Sequence, residues 1–314
     1  MRTILLVLCL ACAARAQQPA ATSGARQPTA AQMAQQPAAA LTAQQPTFAV
    51  SKTGHGPALI LIPGLDCSGE VWSETADRYK DRFTCYSLTL PGFAGVAPHY
   101  SDSILSSLST EIAAWIARQG IRKPILIGHS LGGWLALKIE ADHPGISGGI
   151  VCVSSAPFLP ALSMGDDISM DSARATGAMI KRYMSAMKPS RANERPTLAF
   201  MIRDSVRIEQ VVDMALHSDP PTQAEVMYEL FSTDLRPDMA KVRCPILVLG
   251  DWSSYKSYGA TRDNTLEKYQ HQFSKAPQVT IVLNDASRHF IMYDEPSWFF
   301  AQVDPFLGSL TALK

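Results

Sequence analysis

Neither sign of charge predominates in this 314-residue chain: 28 lysines and arginines stand against 28 aspartates and glutamates, and charged residues make up only 18%. A chain so balanced lacks the basic footprint of a nucleic-acid-binding protein, so no nucleic acid partner is expected. Long hydrophobic runs are lacking too. None outside the N-terminal leader approaches the roughly 18 to 20 apolar residues that cross a bilayer, and no membrane span is expected. Cysteines number six, and their spacing matches no zinc pattern, so neither a metal nor a cofactor is expected.

The first residues carry a different signal. Met1-Arg2-Thr3 is a short basic start, residues 4–14 form an apolar run, and Ala14-Arg15-Ala16 is an A-x-A site. This is the pattern of a secretory signal over residues 1–16, with cleavage before Gln17. Cys12 follows Cys9-Leu10-Ala11, a poor lipobox, so a soluble exported protein, periplasmic or extracellular, is expected ahead of a lipid-anchored one. Loss of the leader leaves Cys67, Cys85, Cys152 and Cys244. Export permits disulfides. The last three, however, lie in or beside predicted strands, where a buried thiol acts as a small hydrophobe. At most one disulfide is expected. Residues 17–46 are rich in Ala, Gln and Pro, with Gln-Gln-Pro beginning at Gln17, Gln35 and Gln44. Such a segment cannot bury enough apolar surface to offset its ordering entropy, and a disordered tether is expected.

Beyond residue 46 the pattern alternates. Apolar runs at 58–62, 83–90, 125–127, 149–153, 246–249 and 279–283 are hydrophobic on both faces, as strands of a buried parallel sheet are. Amphipathic segments such as 104–119 separate them. The expected fold is α/β, a mostly parallel sheet flanked by helices, with a core of residues 47–157 and 243–314. Residues 158–242 break the alternation with helical periodicity alone and hold nine of the twelve methionines. They predict a helical cap inserted between core strands. Methionine is adaptable, so the cap suits a promiscuous apolar pocket, or the methionines fill the cap's own interior.

The segment "ILIGHSLGGWLALK" places Ser130 between a strand and a helix, flanked by Gly128 and Gly132. Glycines at those positions allow strand and helix to approach around a sharp corner, and the helix N-terminus favours negative charge nearby. Ser130 is therefore a candidate nucleophile. Of the seven histidines, His289 follows the last predicted strand by a short loop, and a loop there reaches the same sheet edge as Ser130. That makes it the candidate base. His129 is expected to point elsewhere. Backbone amides of Leu65, in the loop after the 58–62 strand, and of Leu131, after the nucleophile, are the candidate oxyanion donors.

Together "LIPGLDCSGEVW", "LTLPGFAGV", "GHSLGGWLAL", "CPILVLGDW" and "SRHFIMYDEP" resemble the successive landmarks of the α/β-hydrolase superfamily, in that superfamily's order. The resemblance covers residue 58 to the C-terminus and implies a Ser130–His289 pair with Leu65 and Leu131 as oxyanion amides. One departure is visible. Where the superfamily usually carries its triad acid, this chain reads Gly250-Asp251-Trp252-Ser253-Ser254, with serines at the expected positions. Asp251 is the nearest carboxylate. Asp263 is the alternative acid, closer to family spacing but at an apparent helix start, where an acid complements the dipole. The strand ending at Val153 is followed by Ser154 and Ser155 and offers no acid.

The resulting expectation is a serine hydrolase that cleaves carboxylic esters of small molecules through an acyl-enzyme. A prolyl aminopeptidase, a C–C bond hydrolase, a lactone hydrolase and a non-catalytic binding protein are the alternatives on the same scaffold. Dehalogenases and epoxide hydrolases of similar frame use a carboxylate nucleophile, which Ser130 argues against.

Overall fold

The computed structural model describes residues 45–311. The leader expected over residues 1–16, and the expected tether up to residue 44, lie outside the described residues.

Five of the strands follow from runs rich in Val, Ile and Leu, β2 (Ala58–Ile62), β4 (Ile125–His129), β5 (Gly149–Val153), β6 (Ile246–Asp251) and β7 (Val279–Asn284), and a sixth, β3 (Thr84–Thr89), mixes Thr, Ser, Cys and Tyr with a single Leu. All pair in parallel. A seventh, β1 (Ala49–Gly54), pairs antiparallel with β3 at the sheet edge, giving the order β1-β3-β2-β4-β5-β6-β7. Its residues are almost all exposed, so no apolar run announces it. A polar, lysine-bearing edge strand is also how a sheet avoids pairing with other molecules.

Alternation along the strands sorts the core into two layers. Ile60, Ile62, Leu126, Ile150 and Val248 pack with the helices Ile104–Arg118 and Leu131–Asp142 on one face. Leu59, Leu61, Ile127, Val151 and Leu249 face Trp72, Tyr79, Phe299 and Val303 on the other. The four cysteines at 67, 85, 152 and 244 are all free and buried. Burial pushes the Cys85 thiol up to about 11 and Cys152 to about 12, so they behave as hydrophobes and not as thiolates.

Strand order determines where a site can form. The chain runs from β2 outward to β3, then returns across β2 to β4. At that reversal the loops leaving β2 and β4 diverge and open a crevice at the carboxyl edge of the sheet. Register brings Ile62 beside Gly128, so the segments Pro63-Gly64-Leu65 and His129-Ser130-Leu131 leave the sheet side by side.

Five α-helices lie between β5 and β6: Leu159–Met164, Met170–Ala186, Arg191–Met201, Ser205–Leu216 and Pro220–Ser232. The Pro220-Pro221 pair opens the last of these behind its N-cap Asp219, because proline suits the first turn of a helix. One of the ties between this insertion and the sheet layer is a buried carboxylate. Ser103, at the N-cap of helix Ile104–Arg118, makes no side-chain cap of its own. Instead Glu229, from the insertion, accepts hydrogen bonds from the N–H groups of Ile104 (2.6 Å) and Leu105 (2.9 Å) and from the Ser103 hydroxyl (3.0 Å). A buried negative charge at a helix N-terminus satisfies the orphan donors and the dipole together.

Replacing Glu229 with Ala leaves two buried N–H groups unpaired and is expected to cost roughly 2 kcal/mol of stability or more. Urea unfolding checks this, and an unchanged midpoint for Glu229→Ala would refute the bridging role.

Candidate active site

Ser130 occupies the corner between β4 and helix Leu131–Asp142 with φ 52° and ψ −117°, a conformation that L-residues rarely adopt. The corner is held by crowding and by hydrogen bonding. A Cβ on Gly128 would lie 2.1 Å from the Gly132 carbonyl oxygen, and one on Gly132 would lie 2.2 Å from the Ile62 carbonyl oxygen. Only glycine fits at either point. The Ser130 N–H donates to the Val153 carbonyl at 2.9 Å, anchoring the corner to β5. Leu131 is the first residue of its helix, so its N–H has no intrahelical acceptor. Leu65 is half-buried in the adjoining turn, which the Cys67 N–H closes on the Gly64 carbonyl at 3.3 Å.

His289 lies beyond β7 in a loop shaped by side chains. The Asn284 carboxamide oxygen accepts from the N–H groups of Ala286 (2.8 Å) and Ser287 (2.5 Å). Asp294, whose side chain is fully buried, accepts from the Arg288 N–H (2.8 Å) and, across the boundary with the insertion, from the Arg203 N–H (2.9 Å). The Phe290 N–H donates to the Met201 carbonyl at 3.2 Å. The histidine loop is therefore fastened to both the core and the insertion.

Of the two candidate acids, Asp251 is the one beside His289. It ends β6, is buried, and its Oδ1 stands 4.0 Å from His289 Nδ1. Its Oδ2 is buried with no partner. Asp263 is exposed in the first turn of helix Arg262–Gln272, behind a capping box formed by Thr261 and Asn264, and makes no ion pair with His289 among the described residues. Ser253, at one of the usual acid positions, donates its hydroxyl to the Ser287 carbonyl at 2.6 Å and so braces the histidine loop. Burial lowers the His289 pKa, and the charge of Asp251 opposes that shift.

Two side chains near this centre were not foreseen. His129 points towards His289: its Nε2 is 3.1 Å from the His289 carbonyl oxygen, and the two rings are 4.8 Å apart. A carbonyl can only accept, so Nε2 carries the proton and donates it. Its Nδ1 is buried without a partner, 2.8 Å from where a Gly64 Cβ would be. Burial, then the neighbouring His289, holds the His129 pKa well below the usual histidine range, which keeps this ring neutral. The other is Asp66, next to Leu65 and itself at a left-handed φ of 64°. Its Oδ1 is buried without a partner, and burial raises its pKa to about 7, with Glu194 contributing and Gln223 and Ser218 opposing. Neither signal stands out in the sequence, because each depends on what the insertion and the loops bring close.

A cavity of about 470 Å³ opens beside Ser154, Asp251 and His289. Its walls carry six aromatic rings, Phe200, Phe231, Trp252, Tyr255, Tyr258 and Tyr269. Of the nine methionines expected to suit a pocket there, only Met201 lines it. Met227 and Met239 are buried in the core cluster and Met179 is exposed. Much of the apolar wall comes instead from the 252–258 turn and from helix Arg262–Gln272. Among the described residues no group of three or more His, Cys, Asp or Glu side chains is placed to hold a metal ion.

These titrations act on stability with opposite signs. His129 and His289 bind fewer protons folded than unfolded below about pH 6.5, so stability falls as pH drops through that value. Asp66 keeps a proton in the fold that the unfolded chain releases near pH 4, so its contribution is lost as pH rises towards about 7. Asp66→Asn is therefore expected to gain stability relative to the parent protein between pH 4 and pH 8, on the order of 1 kcal/mol or more at the upper end. Denaturant unfolding across that range checks it; a pH-independent difference would assign Asp66 an ordinary pKa.

The model of the alpha/beta hydrolase family matches residues 59–302. A pimeloyl-[acyl-carrier protein] methyl ester esterase of Vibrio parahaemolyticus is 24% identical over 197 residues, 62% of this chain and 75% of that protein. Among solved structures, a thermophilic esterase from Thermogutta terrifontis superposes with a TM-score of 0.68 at 17% identity, over 84% of this chain and 93% of that one. The enol-lactonase from Burkholderia xenovorans LB400 gives 0.66 at 18% identity, over 83% and 96%. At such identities the structural likeness speaks for the fold, and the family model for membership: the chain belongs to the alpha/beta hydrolase family, an enzyme family whose members include the esterases it resembles.

Proposed function

We propose that the protein is a serine hydrolase that cleaves carboxylic esters through an acyl-enzyme on Ser130. The observation that carries this is the left-handed corner at Ser130, held on a helix N-terminus beside the loops of Leu65 and His289. A serine forced into so unfavourable a conformation by glycine crowding on both sides has its hydroxyl presented outward from the sheet edge.

In the proposed reaction the Ser130 Oγ attacks the ester carbonyl carbon while His289 Nε2 takes its proton. The N–H groups of Leu65 and Leu131 bind the oxyanion, and collapse of the adduct expels the alkoxide, which receives the proton from His289. Water then adds to the acyl group with His289 again as base, releasing the acid and restoring Ser130. Asp251 stabilises the imidazolium formed in each half. Its 4.0 Å separation from Nδ1 is an ion-pair distance, and tightening by about 1 Å on substrate binding would make a hydrogen bond. The lowered pKa of His289 keeps the base unprotonated below the usual histidine range, so activity is expected to persist into mildly acidic solution. The esterase relative supports an ester as the bond cleaved. The leader expected from the sequence of residues 1–16 favours action outside the cytoplasm.

Hydrolysis of p-nitrophenyl esters from acetate to laurate tests the reading. Ser130→Ala is expected to lose roughly a thousandfold or more in kcat, and Asp251→Asn to be crippled less severely than Ser130→Ala. Fluorophosphonate labelling of the parent protein but not of Ser130→Ala should accompany this. Turnover that survives in Ser130→Ala would overturn the proposal.

A further inference from the structure

The proposed chemistry uses Ser130, His289 and Asp251 but leaves unexplained the large cavity that Asp251 and His289 help to line. Its volume of about 470 Å³ is far more than an acetyl or methyl group needs, and about three times the ~150 Å³ space known to hold a benzene ring. Three of its six rings cross at steep angles: Phe200 meets Tyr255 edge-on at 5.5 Å and 75°, and Tyr258 at 6.4 Å and 72°. Rings crossing in this way present edges and faces to a planar guest and form rigid walls, where methionines would adapt to any shape.

Charge adds a second constraint. Among the lining residues only Asp251 and Lys268 carry a formal charge besides what His289 takes up, and Asp251 already faces His289. Lys268 is half-buried and spends one donor, at 3.0 Å, on the Leu162 carbonyl. It makes no ion pair among the described residues. An ammonium has three donors, so two remain. An uncompensated cation on a largely apolar wall attracts an anion more strongly than it would in water.

We infer that this cavity binds an ester bearing a planar aromatic ring substituted with a carboxylate, the ring lying among Phe200, Tyr255, Tyr258 and Tyr269 and the carboxylate meeting Lys268. The inference rests on the ester-hydrolase reading for its chemistry, but not for its binding. It makes Lys268 the residue that selects an anionic aryl substrate over a neutral or aliphatic one.

Two ester pairs test it: methyl benzoate with monomethyl terephthalate, where the ring is on the acyl side, and phenyl acetate with 4-acetoxybenzoate, where it is on the alcohol side. The quantity read is the ratio of kcat/KM for the carboxylated over the neutral member. In at least one pair this ratio is expected to exceed one, to fall roughly tenfold or more in Lys268→Met, and to be largely kept in Lys268→Arg. Each ratio is internal to one variant, so a general loss of folded protein cancels. Ratios unaltered by Lys268→Met in both pairs overturn the inference. Binding separates it from the reaction: calorimetry on Ser130→Ala, which needs no turnover, should show terephthalate bound more tightly than benzoate and than trans-1,4-cyclohexanedicarboxylate. The preference over benzoate should disappear in the Ser130→Ala, Lys268→Met double variant. That result with no esterase activity would sink the ester reading and keep the site. Terephthalate bound no better than the other two would sink the site whatever the activity.

Discussion

Three backbones meet at one point in this molecule with no room for a methyl group between them. The Gly128 α-carbon faces the Gly132 carbonyl, and the Gly132 α-carbon faces the carbonyl of Ile62. Strand β4, the helix after it and the end of β2 are thereby locked within van der Waals contact. The rest of the site follows from that contact. Ser130 is driven into a left-handed conformation, the Leu65 turn is drawn alongside, and His129 is wedged under the His289 loop, with its Nδ1 close to Gly64. Close packing of this kind transmits position accurately because it cannot relax in small steps.

His129 gives the centre a second tie. It is adjacent to the serine in sequence and reaches the carbonyl of the histidine in space, so a displacement of either loop is felt by the other. It does this as a neutral ring, and its complete burial keeps it neutral. A charged ring in the same place would face the imidazolium that the proposed reaction forms on His289, two like charges with ring centroids 4.8 Å apart.

Much of the frame was legible in the sequence because the chemistry is local. Five strands are largely apolar runs, and the serine corner needs its two glycines at fixed spacing. What could not be read depends on partners distant in the chain. Strand β1 is almost wholly exposed and carries no hydrophobic signature; only its ladder with β3 defines it. In the sequence, family spacing speaks for Asp263 and nearness to the strand end for Asp251, whereas the fold sets the two apart by burial and by the capping box at Thr261. The methionines gave a compositional hint about the pocket, but the rings lining it come largely from the 252–258 turn and from Tyr269. In the sequence that turn stands out only for its missing acid.

The contact between Glu229 and the start of helix Ile104–Arg118 has a consequence for how such enzymes diversify. The insertion supplies one side of the cavity wall, and exchanging it is an obvious route to a new specificity. Here it is not a detachable module, because it furnishes the terminal charge of a helix belonging to the sheet layer beneath. A chimera that imports a foreign lid without an acid in that place would inherit a frayed core helix along with its new pocket. Evolution and protein engineers alike are better served in this scaffold by changing side chains around the cavity than by transplanting the whole segment.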